Sequence, residues 1–224
     1  MNFSKDFQTA VNDYLLLLDK KYPQKAILKL IGDRYALNGT ERSMLYRGIT
    51  TSKNAEKRAK KLISEKNIIN QPIHIDGYNV LITIGSYLNG NLVFIGNDRY
   101  LRDASEIHGK IFRTELFERA VILILVYLEK LKVSEINFYL DQPVSFSGKL
   151  SQKINKIIKD YNLSGKAEVY NSPDYILKNI EEGFVATTDS TIIDKAKLNI
   201  FDIARNTIKY HFNPNFIDMG LFIS

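Results

Sequence analysis

The sequence predicts an α/β protein with a mostly parallel sheet, preceded by an α-helical module. Three observations carry this reading. In the first 70 positions apolar residues recur at three-to-four spacing, as amphipathic helices require. From Gln71 onward short apolar runs alternate with amphipathic segments, the pattern of βαβ units. The charge divides at the same place: residues 1–70 hold 14 Lys and Arg against 7 Asp and Glu, net +7, and the rest hold 17 against 18, net −1.

Taken in order, Val11, Tyr14, Leu15 and Leu18 mark a first helix and Ala26, Ile27, Leu30 and Ile31 a second, with Pro23 between them. A third starts after Asn38-Gly39-Thr40, capped by Thr40, and ends near Gly48. A fourth, over 52–66, places Lys53, Lys57, Lys60 and Lys61 on adjoining turns of one face, with Arg58 nearby. Such a ridge is either a solvated helix face or a surface that contacts phosphates without reading sequence. Residues 24–47 also allow a helix-turn-helix, but the turn YALNG is long for one and nothing marks a recognition helix. Asn70-Gln71, before Pro72, divides the chain into a basic helical module, 1–70, and an α/β domain, 71–224. In that domain strands are expected near 73–75, 92–95, 135–140, 167–170, 183–187 and 198–201. Helices are expected over 79–87, 106–131, 149–161, 173–180 and 191–196.

With 224 residues, 45% hydrophobic and 25% charged, the chain has ample length and composition for a packed core. Its net charge of +6 favours a polyanionic partner. There is no cysteine, which excludes disulfides, thiolate metal sites and a cysteine nucleophile and fits a reducing cytoplasm. The N-terminus lacks a signal-peptide apolar core, and the longest apolar runs, 15–18 and 121–128, are too short to span a membrane. A soluble, cytoplasmic protein is expected. The oligomeric state stays open, a homodimer among the alternatives.

In an open parallel sheet ligands bind outside the carboxyl ends of the strands. Asp76 follows the first strand, Asp141 the central strand INFYL, and Asp189 the strand FVATT, with Asp194 one helical turn further on. Asp103 and Glu106 precede the long helix. Gathered carboxylates repel one another unless a cation binds them, and an all-oxygen donor set suits Mg²⁺ or Mn²⁺ rather than zinc. The alternative is that each Asp caps the helix after its strand. Other α/β chemistries lack their residues. There is no GxGxxG, no GxxxxGK[ST] and no GxSxG, and Tyr78 stands where a haloacid-dehalogenase phosphatase needs a second Asp. His74 reads as a packed strand residue and His108 as a surface one. Arg113 and Arg119 read as exposed ion-pairing residues.

The segment IHIDGYNVLI resembles the first motif of the PIN-like nuclease superfamily, particularly its NYN branch. FVATTDSTIID is similar to the later motif, and NFYLDQPVSFSG to the central strand with its terminal Asp. With a basic helical extension in front, the chain resembles an archaeal family of PIN-like proteins, the similarity running from Pro72 to the C-terminus. The resemblance implies a PIN-like fold and a divalent-metal-dependent ribonuclease. Asp76, Asp141 and Asp189 would be its metal-binding catalytic acids, Asp194 would complete the cluster, and Asn79 would orient Asp76 or touch substrate. The further acid would be Glu106, with Asp103 or Glu115 as alternatives. Ser145, Ser147 and Gly148 would offer hydroxyls and an amide to a phosphate, or form an ordinary turn. Thr188 and Ser190 would orient Asp189. RNA, held by Lys53, Lys57, Lys60 and Lys61, would be cut to a 5′-phosphate and a 3′-hydroxyl. The rival readings are a non-catalytic RNA-binding or assembly factor and a small-molecule phosphohydrolase.

Overall fold

The computed structural model describes residues 3–4, 6–104, 115–142, 144 and 147–224. In chain order they form α1 (Phe7–Asp19), α2 (Gln24–Arg34), α3 (Gly39–Gly48), α4 (Ser52–Lys61), α5 (Glu65–Ile68), β1 (Pro72–Asp76), α6 (Gly77–Leu88), β2 (Val93–Ile95) and β3 (Leu101–Asp103). Then follow α7 (Glu115–Lys130), β4 (Glu135–Asp141), α8 (Ser147–Asp160), β5 (Gly165–Tyr170), α9 (Pro173–Asn179), β6 (Phe184–Ala186), α10 (Ser190–Lys195), α11 (Ile203–Phe212) and β7 (Ile217–Asp218).

Two compact units result, and their boundary corrects the expected division after Asn70. The first unit takes residues 90–104 and 215–224 in addition to the N-terminal helices, and the second begins at residue 61. The physical reason is visible in the first unit's core. Phe7, Val11 and Tyr14 of α1 and Leu45 of α3 bury themselves against Phe94 of β2 and Met219, so the helices need the later segments to close over them. There β2 pairs antiparallel with β3 and parallel with β7, forming a small separate sheet rather than part of the main one. Asn38, not Thr40, caps α3: its Oδ1 accepts the Glu41 amide at 3.0 Å while Glu41 Oε2 accepts the Asn38 amide at 3.0 Å, a reciprocal capping box. Arg58 and Arg102 both donate to Asp98 Oδ2, at 3.0 and 2.8 Å, all three being buried.

In the second unit four parallel strands stand in the order β5-β4-β1-β6. Alternate residues divide its faces. Ile73, Ile75, Ile136, Phe138, Leu140 and Ala167 are buried on one; His74, Asp76, Asn137, Tyr139, Asp141, Lys166, Glu168 and Tyr170 share the other. Chain direction across the sheet is one way from β1 through β4 to β5, and back again to β6. Right-handed crossovers therefore put α6–α8 over the apolar face and the short α9 over the polar one. The β5 edge is closed locally: the Asn155 side chain accepts the Ala167 amide at 2.8 Å and donates to its carbonyl at 2.9 Å, and Ser151 donates to the same carbonyl at 2.7 Å. Residues 198–201 form no strand, only bridges of Ile200 to Val185 and Leu62.

Lys61 leaves the expected basic ridge. Its Nζ donates to the carbonyls of Ile193 and Ala196, at 2.8 and 2.7 Å, closing the C-terminal end of α10, where unpaired carbonyls and the helix dipole favour a cation. Lys61→Ala is therefore expected to cost about 1–2 kcal/mol of stability, in the range of lost caps and charge-assisted bonds. A denaturation midpoint unchanged by the substitution would contradict this capping role. Among the described residues no helix is long and apolar enough to cross a membrane.

Candidate functional site

The strand order creates one place where chain connections diverge. From β1 the chain leads toward β4, whereas from β6 it leads outward to Ile200, which bridges Val185 on the outer side. Between the carboxyl ends of β1 and β6 lies a topological switch point, the position at which parallel α/β sheets bind ligands. Asp76 ends β1 there, and Asp189 follows β6 by three residues.

Asp76 is 3% exposed. Asn79 Nδ2 donates to its Oδ2 at 2.8 Å and Thr187 Oγ1 to the same oxygen at 2.6 Å, so Oδ1 takes part in neither bond. Burial pushes this carboxyl up to about 7 against the pull of those two donors, and the charges of Asp189 and Asp174 add to the rise. Although Asp76 occupies the N-cap position of α6, its side chain makes no capping bond. Asp189 does cap: its Oδ1 accepts the amides of Thr191 and Ile192 at 2.5 and 3.2 Å, leaving Oδ2 outside both bonds. Asp141, half-buried at the end of β4, lies six residues before α8 and caps no helix. Burial raises its carboxyl, with Asp174 contributing. Capping thus accounts for one of the three strand-end acids.

Two residues of the site escaped the sequence reading. Thr187 donates to Asp76 and accepts the Asp189 amide at 2.9 Å, joining the two acids through one hydroxyl. The signal was strand periodicity: His74 pairs with Val185, so two residues further Asp76 meets Thr187. Its neighbour Thr188, expected to orient Asp189, instead donates to the Asn79 carbonyl at 3.2 Å. Asp174, at the start of α9, was read only as part of a helix. Its charge acts on both Asp76 and Asp141, although Lys178 pairs with it at 3.1 Å.

Other expected residues stand elsewhere. Asp194 belongs to the last turn of α10, at the end opposite the Asp189 cap, and its carbonyl receives Lys61 at 3.4 Å. Asp103 is buried in β3 of the first unit and paired with Arg47 at 3.2 Å. Glu115 is an exposed first residue of α7. Ser147 is buried at the start of α8, and its amide donates to the Val144 carbonyl at 3.1 Å. Glu106, Ser145, His108 and Arg113 lie outside the described residues. His74 is packed as expected, between the Tyr139 hydroxyl at 3.0 Å and the Glu182 carbonyl at 3.2 Å. On α4, Lys53, Lys57 and Lys60 are exposed, Lys60 pairing with Glu56 at 2.5 Å, while Arg58 is buried.

The acids offer only hard oxygen donors, and among the described residues no Lys or Arg is paired with Asp76, Asp141 or Asp189. Among the described residues no three Asp, Glu or His stand close enough together to ring one ion.

Fold and site define an α/β protein with aspartates at the strand ends that flank the switch point of a parallel sheet. The chain belongs to the family described as "Domain of unknown function (DUF5616)", whose model matches residues 65–206; residues 6–61 match a second model, "Protein of unknown function (DUF434)". It is 30% identical over 204 residues to "Uncharacterized protein MJ0935" of Methanocaldococcus jannaschii, covering 91% of this chain and 97% of that one. No solved structure matches.

Proposed function

We propose that this protein is a PIN-like, divalent-metal-dependent ribonuclease that hydrolyses RNA phosphodiester bonds at the carboxyl ends of β1 and β6. One observation carries the reading: Asp76, Asp141, Asp174 and Asp189 lie at the carboxyl ends of parallel strands without a bound Lys or Arg beside the first, second and fourth, and Asp76 is raised to about 7 in consequence of burial and its acidic neighbours. Such a set is costly unless a cation occupies it. Asp76, Asp189 and Asp141, with Asp174, would hold Mg²⁺ or Mn²⁺, which when bound supplies positive charge to a scissile phosphate and a more acidic water.

The protein's own residues do the positioning. Asn79 and Thr187 hold the Asp76 carboxylate through Oδ2 and leave Oδ1 outside both bonds. The amides at the start of α10 fix Asp189 through Oδ1 in the same manner. Thr187 ties the Asp76 carboxylate to the Asp189 backbone amide, so the two residues keep a fixed relation at the strand ends. Lys53, Lys57 and Lys60 would contact the phosphate backbone without reading sequence.

A second reading, a non-catalytic RNA-binding or assembly factor, is favoured by the lack of three converging acids among the described residues. Incubation of labelled RNA with and without Mn²⁺, for wild type and Asp189→Asn, separates the two. Metal-dependent cleavage that the substitution lowers 100-fold or more supports the nuclease. Binding with no cleavage under Mg²⁺ or Mn²⁺ supports the second reading, and cleavage indifferent to the substitution displaces the site.

A further inference from the structure

A parallel sheet is ordinarily covered on both faces, and its strands then run apolar throughout. Here β4 and β5 alternate. On one face stand Glu135, Asn137, Tyr139 and Asp141 from β4, and Lys166, Glu168 and Tyr170 from β5, most of them half-exposed. The short α9 packs on this face over β1 and β4, while Lys166, Glu168 and Tyr170 of β5 keep solvent exposure, as a ligand surface requires.

Rings cross that face in a row. Tyr139 and Tyr170 stack at 5.3 Å between centroids and 21° between planes, and His74 lies 5.8 Å from Tyr139, tilted by 52°. The row ends at the acids, because the register sets Tyr139 opposite Asp76 and Tyr170 opposite Asp141. Both hydroxyls are tethered. Tyr139 bonds His74 Nδ1 at 3.0 Å, and Tyr170 donates to Glu168 Oε2 at 2.5 Å. Lys166 pairs with the same Glu168 oxygen at 2.9 Å and offsets its charge. Rings already held in place lose little freedom when a partner stacks on them.

We infer that the stacked Tyr139–Tyr170 pair is a platform for unpaired nucleobases beside Asp141, which makes single-stranded RNA the substrate class. The inference rests on the ribonuclease reading for its substrate and on the ring geometry for its place. Flat π faces accept any base, and stacking is sequence-tolerant. Bases inside a duplex are stacked on each other and offer no face to such a platform.

The test uses the full-length Asp189→Asn protein with Mn²⁺ and a fluorescein-labelled ten-residue oligouridylate, read by anisotropy. A matched oligomer with abasic positions keeps the phosphates and removes the bases. Base removal is expected to weaken binding by about 5-fold or more, the lower end for one lost stacked base. Tyr170→Leu added to Asp189→Asn is expected to weaken oligouridylate binding by a similar factor and to make base removal nearly without effect. Tyr170→Phe, which keeps the ring, is expected to restore the loss. In cleavage by the otherwise wild-type enzyme, Tyr170→Leu is expected to raise KM for single strands with kcat nearly unchanged. Equal binding of the abasic and intact oligomers overturns the platform and needs no variant to fold. Lack of cleavage by wild type overturns the nuclease reading, while the inactive protein's preference for bases still decides the platform.

Discussion

Asp76→Asn is expected to abolish the proposed RNA cleavage and, in the absence of metal at pH 8, to raise the melting temperature by several degrees. The first effect follows from the metal-holding role proposed for its carboxylate. The second follows from proton linkage. The folded carboxyl titrates at about 7 and the unfolded one at 3.8, so between these values the folded state holds the extra proton. Stability therefore falls as pH rises from about 4 to about 7, by on the order of a few kcal/mol in total, and is level above that window. Asn is neutral throughout and still accepts bonds from Asn79 and Thr187. The variant's advantage should be largest at pH 8 and shrink as pH is lowered toward 4. Mn²⁺ should raise the melting temperature of the wild type and leave the variant unmoved. Melting curves in EDTA at pH 4.5 and pH 8 decide this; a large loss of stability in the variant at pH 8 would make the Asp76 charge structural.

Asp98→Ala is expected to cost about 3–5 kcal/mol, since it removes the carboxylate that two buried guanidinium groups share. Arg58 and Arg102 are 8% and 7% exposed and share Asp98 Oδ2, while Oδ1 accepts the Tyr100 amide at 3.2 Å. Asp98→Asn, which keeps an acceptor but not the charge, should fall between wild type and Ala. The measurement is the denaturant midpoint of the transition that loses the first unit's structure, at unchanged slope. A cost below about 1 kcal/mol for Asp98→Ala would show that water or a rearranged partner meets both cations.

Much of the fold was legible because local rules and burial agreed. Pro23 separates α1 from α2, the alternation in INFYLD marks β4, and the aspartates stand where strands stop. The reading went astray wherever a remote partner decided the outcome. Leu92 to Ile95 has the composition of a strand for the main sheet, yet β2 pairs with β3 and β7, because the first unit's helices need Phe94 to close their core. Lys61 continues a basic helix in sequence, yet it caps α10, which lies more than 130 residues away along the chain. Thr188 adjoins Asp189 in the sequence, but the strand pleat delivers Thr187 to the acids instead.

By itself, then, the sequence determined the class of fold, the uneven distribution of charge and the three strand-end aspartates, because periodicity, capping preference and composition are local properties. The tertiary structure decided which of those aspartates share an environment. Strand order puts Asp76 and Asp189 on either side of a switch point, α9 brings in Asp174, and burial raises Asp76 to about 7. It likewise decided that Tyr139 and Tyr170 stack beside Asp141, a matter of register between strands that no single strand encodes. Charge and ring interactions depend on distance and dielectric, which exist only once the chain has folded.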